Sequence, residues 1–239
     1  MAPRWTVIDL VLVVLGSVGG ALAAGTVATL SGAPNDVVLL SSFGGQYVGT
    51  LGVLWLIGRS RGLGVDSLGF DVRPTDVIYL GLGVALQIAI ALLFAPLQQL
   101  LLPDEGPSQE IAEIFIALQG TGARLAMVAI ATLLAPLSEE LMFRGLLLRA
   151  LADRPRRLIM IVTAAVFATF HLLGVTSVGA GVLVFVQIFL VGLVLAQVTL
   201  RHGRLGPAIF VHSGFNLVAA IVLLLPPELL EELGQAGAQ

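Results

Sequence analysis

Long apolar stretches recur along the whole 239-residue chain and limit what it can fold into. Hydrophobic residues make up 57% of the sequence and charged residues only 11%, against about 25% charged in a typical soluble domain. A stretch of about 20 apolar residues can cross the hydrocarbon core of a bilayer as a helix, because a helix satisfies its own backbone hydrogen bonds. The sequence therefore predicts an all-α fold, a polytopic bundle of transmembrane helices.

About seven spans can be counted, and the last four are expected to form the functional core. The predicted spans are residues 7–30, 37–58, 77–102, 124–151, 158–174, 180–200 and 207–225. The fifth is short for a bilayer and suggests a tilted or partly re-entrant segment. Residues 1–122 would hold spans 1–3, a cytoplasmic linker and an outer segment with amphipathic helical spacing. Residues 123–226 would hold spans 4–7, and residues 227–239 a short acidic tail.

The positions of the arginines predict how the spans are oriented. Ten arginines lie before span 1 or in the loops after spans 2, 4 and 6, whereas the opposite loops hold only Arg124. Cytoplasmic loops carry the excess of basic residues in membrane proteins. The bias predicts a cytoplasmic N-terminus and a C-terminus on the outside. Since every basic residue is Arg, the composition favours a bacterial protein of the cytoplasmic membrane.

The fourth span carries three charges in the middle of an apolar run. Glu139, Glu140 and Arg144 lie within this run, where each charge costs roughly 2.5–3.5 kcal/mol on insertion scales. Glu140 and Arg144 are four residues apart, in the order that favours an ion pair on a helix. Glu139 lies about 100° further round the helix and is expected to point into a cavity. Pro136 removes a backbone hydrogen bond just before the pair and is expected to disturb the helix there.

Two further spans bring polar side chains to a similar depth. His171 lies in span 5, and His212 and Asn216 lie four residues apart in span 7. Counted at 1.5 Å per residue from the cytoplasmic ends of their spans, Glu139, His171, His212 and Asn216 lie about 18, 20, 8 and 14 Å deep. The sequence therefore predicts that three helices bring a carboxylate, two imidazoles and an amide together in the cytoplasmic half of the bundle.

The chemistry open to one Glu and two His residues is limited, and three interpretations remain open. The carboxylate can act as a general base in a site of low dielectric. Two imidazoles and a carboxylate can bind Zn²⁺ and activate water. Asn216 and a His can donate hydrogen bonds to an oxyanion. Each favours attack of activated water on a carbonyl compound. The chain has no Cys, and no Ser is evidently placed as a nucleophile beside the histidines.

The residues carry a resemblance to a known family. Three motifs follow in order in apolar segments: Glu139-Glu140-x-x-x-Arg144, Phe167-x-x-x-His171 and His212-x-x-x-Asn216. Together they resemble the motifs of the CPBP family, the CAAX prenyl protease and bacteriocin-processing (Abi) group of intramembrane endopeptidases. The resemblance covers spans 4 to 7.

The resemblance implies a role for each matched residue. Glu139 would activate the attacking water together with His171, and His212 and Asn216 would stabilise the oxyanion. Glu140 and Arg144 would be orienting or structural residues, with Phe167 in support. Family members are described both as metal-dependent and as glutamate-type proteases, so Glu139, His171 and His212 would hold a divalent metal such as Zn²⁺ only if one is used.

The predicted function is hydrolysis of a peptide bond in a membrane-associated or lipidated peptide, in contact with membrane lipid and without a nucleic-acid partner. Two alternatives belong to other classes. A non-catalytic immunity or scaffold protein would keep the fold to bind a peptide or partner. A proton-coupled transporter would use the buried Glu and His residues as a relay, but it would typically show internal repeats, and the sequence has none.

Overall fold

The computed structural model describes residues 4–101, 118, 120–173, 175 and 177–224, and every regular element within them is a helix. Seven principal helices follow in order, and each overlaps one of the seven predicted spans. Their bounds are α1 Val7–Leu30, α2 Asn35–Arg61, α3 Tyr79–Leu101, α4 Thr121–Ala150, α5 Arg156–Phe170, α6 Val178–His202 and α7 Gly206–Leu224. The predicted all-α, polytopic helix bundle is confirmed.

Five of these helices are long and apolar enough to cross a membrane: α1, α2, α3 with the short helix before it, α4 and α6. Helix α5 has only 15 residues, a length of about 22 Å at 1.5 Å per residue, against a hydrocarbon core of about 30 Å. Because α5 ends at Phe170, His171 is the residue that caps its C-terminus. The expectation that His171 lies inside a helix is therefore wrong.

Helix α4 is not a regular α-helix. Residues Ile130–Leu134 and Leu141–Leu147 are π-helical, and the α-helical turn Ala135–Glu140 lies between them. Single π-helical turns within α-helices occur frequently at functional sites. The first π-helical turn directly precedes Pro136, at the place where the proline predicts a disturbed helix. The two glutamates therefore sit on a short α-helical turn with a wider turn on each side.

Helices α1 and α2 pack backbone to backbone through small residues. A Cβ atom added to Gly20 would overlap the carbonyl oxygen of Gly45 and lie 3.1 Å from the Cα of Gly49. A Cβ added to Gly49 would in turn overlap the carbonyl oxygen of Gly16. Glycine at these positions lets two helices approach closely in a membrane, where packing drives their association.

The predicted linker after α2 is structured and packs against the bundle. It contains the 3₁₀ helices Val65–Leu68 and Pro74–Ile78, and Leu68 is part of the main apolar core, with 3% of its surface exposed. Arg204, between α6 and α7, donates to Asp76 over 2.6 Å, and these hydrogen bonds raise the pKa of the Arg204 guanidinium. The connector thus fixes the start of α7 against α3.

Several arginines from different loops gather at this end of the bundle. Arg61 donates two hydrogen bonds of 2.6 Å to Asp9, whose side chain is fully buried. Arg4 pairs with Asp153 over 3.0 Å, both of them exposed. The loops predicted to share one side of the membrane therefore meet at one end, called here the arginine-rich end.

Two predicted segments cannot be compared with the structure. The outer amphipathic segment lies outside the described residues apart from Leu118 and residues 120–123, and the acidic tail at 227–239 lies outside them entirely. Leu118 itself is buried and packs with Met127. The three-part division of the chain stays a prediction.

Candidate active site

A buried ion pair lies at the centre of the site. Arg144 Nη1 donates to Glu140 Oε1 over 2.9 Å, and both side chains have 0% exposure. Arg144 also donates to the carbonyl oxygen of Gly192 in α6 over 3.2 Å. Its guanidinium carbon lies 4.3 Å from the ring centroid of Phe167 in α5. Arg144 therefore joins α4, α5 and α6, and its pairing with Glu140 is the one that the spacing predicts.

His212, on α7, contacts both glutamates. Its Nδ1 lies 3.0 Å from Glu140 Oε1, and its Nε2 lies 3.8 Å from Glu139 Oε2. A carboxylate can only accept a hydrogen bond, so Nδ1 carries the proton that bonds Glu140. In the neutral imidazole the lone pair is then on Nε2, which faces Glu139.

His171 approaches the same carboxylate oxygen from α5. Its backbone N–H donates to Ala168, so the carbonyl oxygen of Phe167, at the end of the helix, remains available as an acceptor. His171 Nδ1 donates to that oxygen over 2.9 Å. Nε2 is therefore unprotonated in the neutral ring, and it lies 3.9 Å from Glu139 Oε2. The end of α5 thus fixes the orientation of this imidazole.

Glu139 Oε2 is buried and has no hydrogen-bond partner among the described residues, although two imidazole nitrogens face it. The separations of 3.8 and 3.9 Å are too long for a direct hydrogen bond, so a water between the groups would be needed to connect them. The Glu139 side chain is 20% exposed and that of His171 is 32% exposed, whereas Glu140 is fully buried. The glutamate that is not neutralised by Arg144 is the more exposed of the two.

Asn216 lies one turn after His212, but its hydrogen bond goes to the backbone of α4. Its Nδ2 donates to the carbonyl oxygen of Ala131 over 2.9 Å. In the π-helical register the N–H of Ala135 bonds to Ile130, and the next donor would be residue 136, a proline without an N–H. Asn216 supplies the missing donor and keeps a second N–H on the same nitrogen.

Aromatic rings hold the two histidines in place. Phe167 is 1% exposed, and its ring centroid lies 4.5 Å from that of His171 and 5.7 Å from that of His212, both edge-on. Phe143 packs edge-on against Phe167 at 5.2 Å. The motif identifies Phe167, but the sequence analysis missed Phe143 and the backbone acceptors at Gly192 and Ala131. Pro136 was the sequence signal for the acceptor at Ala131, because a proline has no backbone N–H to donate.

Glu139, His171 and His212 are the three side chains that would bind a zinc ion. Among the described residues, no group of three His, Cys, Asp or Glu side chains is arranged to hold a metal ion. The distances of 3.8 and 3.9 Å from Glu139 Oε2 to the two imidazole nitrogens exceed the roughly 3.4 Å expected between ligands of tetrahedral zinc with bonds of about 2.1 Å. As they stand, Glu139, His171 and His212 do not have the ligand spacing of a tetrahedral zinc ion.

The fold and the site define a class of protein. It is an integral membrane protein with a polar site between its helices, in which a half-buried carboxylate lies between two imidazoles. Comparison with known families is more specific. Residues 121–218, which run from the start of α4 into α7, match the family model described as "Rce1-like: Type II CAAX prenyl endopeptidase Rce1-like". The predicted resemblance is confirmed. No match was found among curated proteins or among solved structures.

Proposed function

We propose that the protein is an intramembrane endopeptidase that hydrolyses a peptide bond with a water molecule activated by Glu139 and His171. The observation that carries the proposal is the convergence of two imidazole Nε2 atoms on the unpartnered Oε2 of Glu139. The family match supports peptidase activity. The residue roles are our inference from the geometry.

The water would lie between Glu139 Oε2 and His171 Nε2, which both offer lone pairs. It would donate one hydrogen to each acceptor, so that its own lone pair is free to attack a carbonyl carbon. Attack forms the new C–O bond while the proton passes to Glu139, which acts as a general base. Because both acceptors are held in place before substrate binds, little reorganisation is needed at the moment of reaction.

The oxyanion formed by this attack needs hydrogen-bond donors. Asn216 has an N–H that is not used by Ala131, and it can donate that hydrogen. His212 can donate from Nε2 only as an imidazolium, since its Nδ1 proton already bonds Glu140. A positive His212 would bring the four buried charges, two carboxylates, one guanidinium and one imidazolium, to zero, which is favourable inside a membrane.

Collapse of the tetrahedral intermediate completes the reaction. The C–N bond breaks, and the proton taken up by Glu139 passes to the leaving nitrogen, so that an amine and a carboxylic acid are released. One water is consumed, and Glu139 returns to its starting state. Glu140 and Arg144 touch no reacting atom in this scheme. They act as positioning residues, because Glu140 fixes the Nδ1 proton of His212.

The setting of the site suggests the substrate and the topology. We infer that the arginine-rich end faces the cytoplasm, from the excess of basic residues there, and that the protein belongs to a bacterial cytoplasmic membrane. A site enclosed by membrane helices suits a peptide already attached to the membrane, such as a lipidated one. The description of the matched family names a prenylated CAAX sequence, so a farnesylated CAAX peptide is the first substrate to test.

The test is cleavage of that peptide by the full chain in proteoliposomes. Glu139→Gln keeps the shape of the side chain and removes the base, so turnover is expected to fall by about 10²-fold or more. Asp153→Asn is the matched control: it also neutralises one carboxylate, but an exposed one, and turnover should not change. Glu139→Gln and His171→Ala variants that both cleave at the wild-type rate would contradict the proposal.

The same variants distinguish a protease from a non-catalytic scaffold or immunity protein. A scaffold or immunity protein would cleave neither farnesylated nor unmodified membrane-bound peptides, and both variants would keep its cellular role. A protease in contrast would lose that role in both variants while remaining folded and bound to substrate.

A further inference from the structure

An apolar groove opens near the arginine-rich end, between the residue Trp5 before α1, helix α2 and the connector. Its volume is about 330 Å³. Trp5 and Trp55 line it together with Leu51 and Leu68, and Leu141 of α4 lies in its wall. From Leu51 to Arg59 it follows α2 for eight residues, about 12 Å at 1.5 Å per residue. We call this feature the tryptophan groove.

A single cation marks one end of the tryptophan groove. Arg59 lines it, and its guanidinium carbon lies 5.5 Å from the centroid of the Trp55 ring. The neighbouring Arg4 and Arg61 are paired with Asp153 and Asp9. Arg59 takes part in none of the ion pairs formed among the described residues. The groove therefore offers an apolar slot together with a positive charge that no carboxylate of the described residues neutralises.

We propose that the tryptophan groove binds an anionic phospholipid, with an acyl chain in the slot and the phosphate on Arg59. Indole rings prefer the boundary between the headgroups and the hydrocarbon, and Trp55, 59% exposed, lies one turn from the arginine. Trp5 is held at the groove by a hydrogen bond of 2.9 Å to Ser67. An arginine near a membrane surface attracts anionic lipids, and a lipid with one anionic head and a long apolar chain matches both parts of the groove.

The bound lipid would touch the helix that carries the site. Leu141 directly follows Glu140 and begins the second π-helical segment of α4. An acyl chain in the groove would therefore pack against the first residue after the glutamate pair. This binding does not depend on the proposed protease activity, and its test uses no substrate turnover.

The chain itself provides the reporter for the test, because Trp5 and Trp55 are its only two tryptophans. The full chain is reconstituted in phosphatidylcholine vesicles that contain brominated phosphatidylglycerol or, at equal mole fraction, brominated phosphatidylcholine. Bromine quenches tryptophan fluorescence on contact. The expected result is a preference of about fivefold for the anionic lipid, the effect of one arginine at a membrane surface.

Arg59→Gln should abolish this preference, and Arg59→Lys should keep it. Arg201→Gln is the matched control, since Arg201 is an exposed arginine in the last turn of α6, outside the groove, and the preference should survive. Trp55→Phe leaves only Trp5, 5% exposed. Selective quenching of this variant is expected if the chain enters the slot.

Three outcomes would overturn the proposal. The first is equal quenching of the wild type by both lipids, which would mean unselective contact with the surrounding bilayer. The second is a preference that persists in Arg59→Gln or disappears in Trp55→Phe. The third is displacement of the brominated lipid by an equimolar farnesylated peptide, which would assign the groove to the lipid chain of a substrate.

Discussion

Glu140 Oε1 accepts hydrogen bonds from two helices at once: from Arg144, 2.9 Å away on its own helix, and from His212, 3.0 Å away on α7. The pair therefore orients the second imidazole as well as neutralising a charge. Removing one partner of a buried ion pair costs about 3–5 kcal/mol, because the other charge is left uncompensated.

We accordingly expect Glu140→Gln to lower the free energy of unfolding by about 3–5 kcal/mol. Denaturant unfolding in detergent micelles measures this change. Turnover should also fall, since His212 loses the carboxylate that fixes its Nδ1 proton. The control is the double variant Glu140→Gln/Arg144→Met, which removes both charges and should recover part of the stability. A single variant as stable as the wild type would show that the buried carboxylate of Glu140 does not stabilise the bundle.

Asn216 is expected to contribute separately to stability and to turnover. In Asn216→Ala the carbonyl oxygen of Ala131 loses its donor, at a cost of about 1–3 kcal/mol. The loss of an oxyanion donor should also lower turnover by about 10²–10³-fold. Both are measured on the same preparation, by unfolding and by peptide cleavage.

The double variant Pro136→Ala/Asn216→Ala separates the structural role of Asn216, its hydrogen bond to Ala131, from its proposed role as an oxyanion donor. Alanine at 136 supplies the N–H that the π-helical register lacks, so stability should return while turnover stays low. If turnover returned as well, Asn216 would act only through the shape of α4, and its assignment to the oxyanion would be wrong.

The parts of the site that are local in sequence could be predicted. Glu140 and Arg144 pair because residues four apart share a helix face, and this holds wherever the helix lies. The order of the three motifs also identified the segment that the family model matches. Pro136 predicted a disturbed helix because the loss of an N–H is a property of the residue itself.

The depth of the polar residues predicted that three helices meet, but the individual atoms in contact could not be predicted from spacing. His212 and Glu140 are 72 residues apart, and their contact depends on how α3, α4 and α7 pack. The end of α5 at Phe170 was also missed, because the apolar run continues past it. The glycine-rich connector was interpreted as a linker, although Leu68 packs in the core. Burial of a single leucine in a polar segment leaves no periodic pattern.

Removal of metal ions is expected to leave turnover unchanged. The two imidazole Nε2 atoms lie 3.8 and 3.9 Å from Glu139 Oε2, further than two ligands of a tetrahedral zinc, and the proposed water bonds directly to protein groups. The measurement is cleavage of the farnesylated peptide before and after dialysis against a strong chelator. Loss of activity that added Zn²⁺ restores would show that the three side chains move closer together in the active state, and it would replace the proposed base with a metal-bound water.

Close packing of α1 on α2 gives a prediction with a control one residue away. Gly20→Ala places a methyl group against the backbone of Gly45, and because backbone cannot move aside as a side chain can, the variant should lose about 1–3 kcal/mol. Gly19 has no neighbouring atom within 4 Å of an added Cβ. Gly19→Ala should therefore be neutral or stabilising by up to about 1 kcal/mol, since alanine favours the helix. Unfolding of both variants in detergent measures the difference, and equal stabilities would mean that the two helices do not approach this closely.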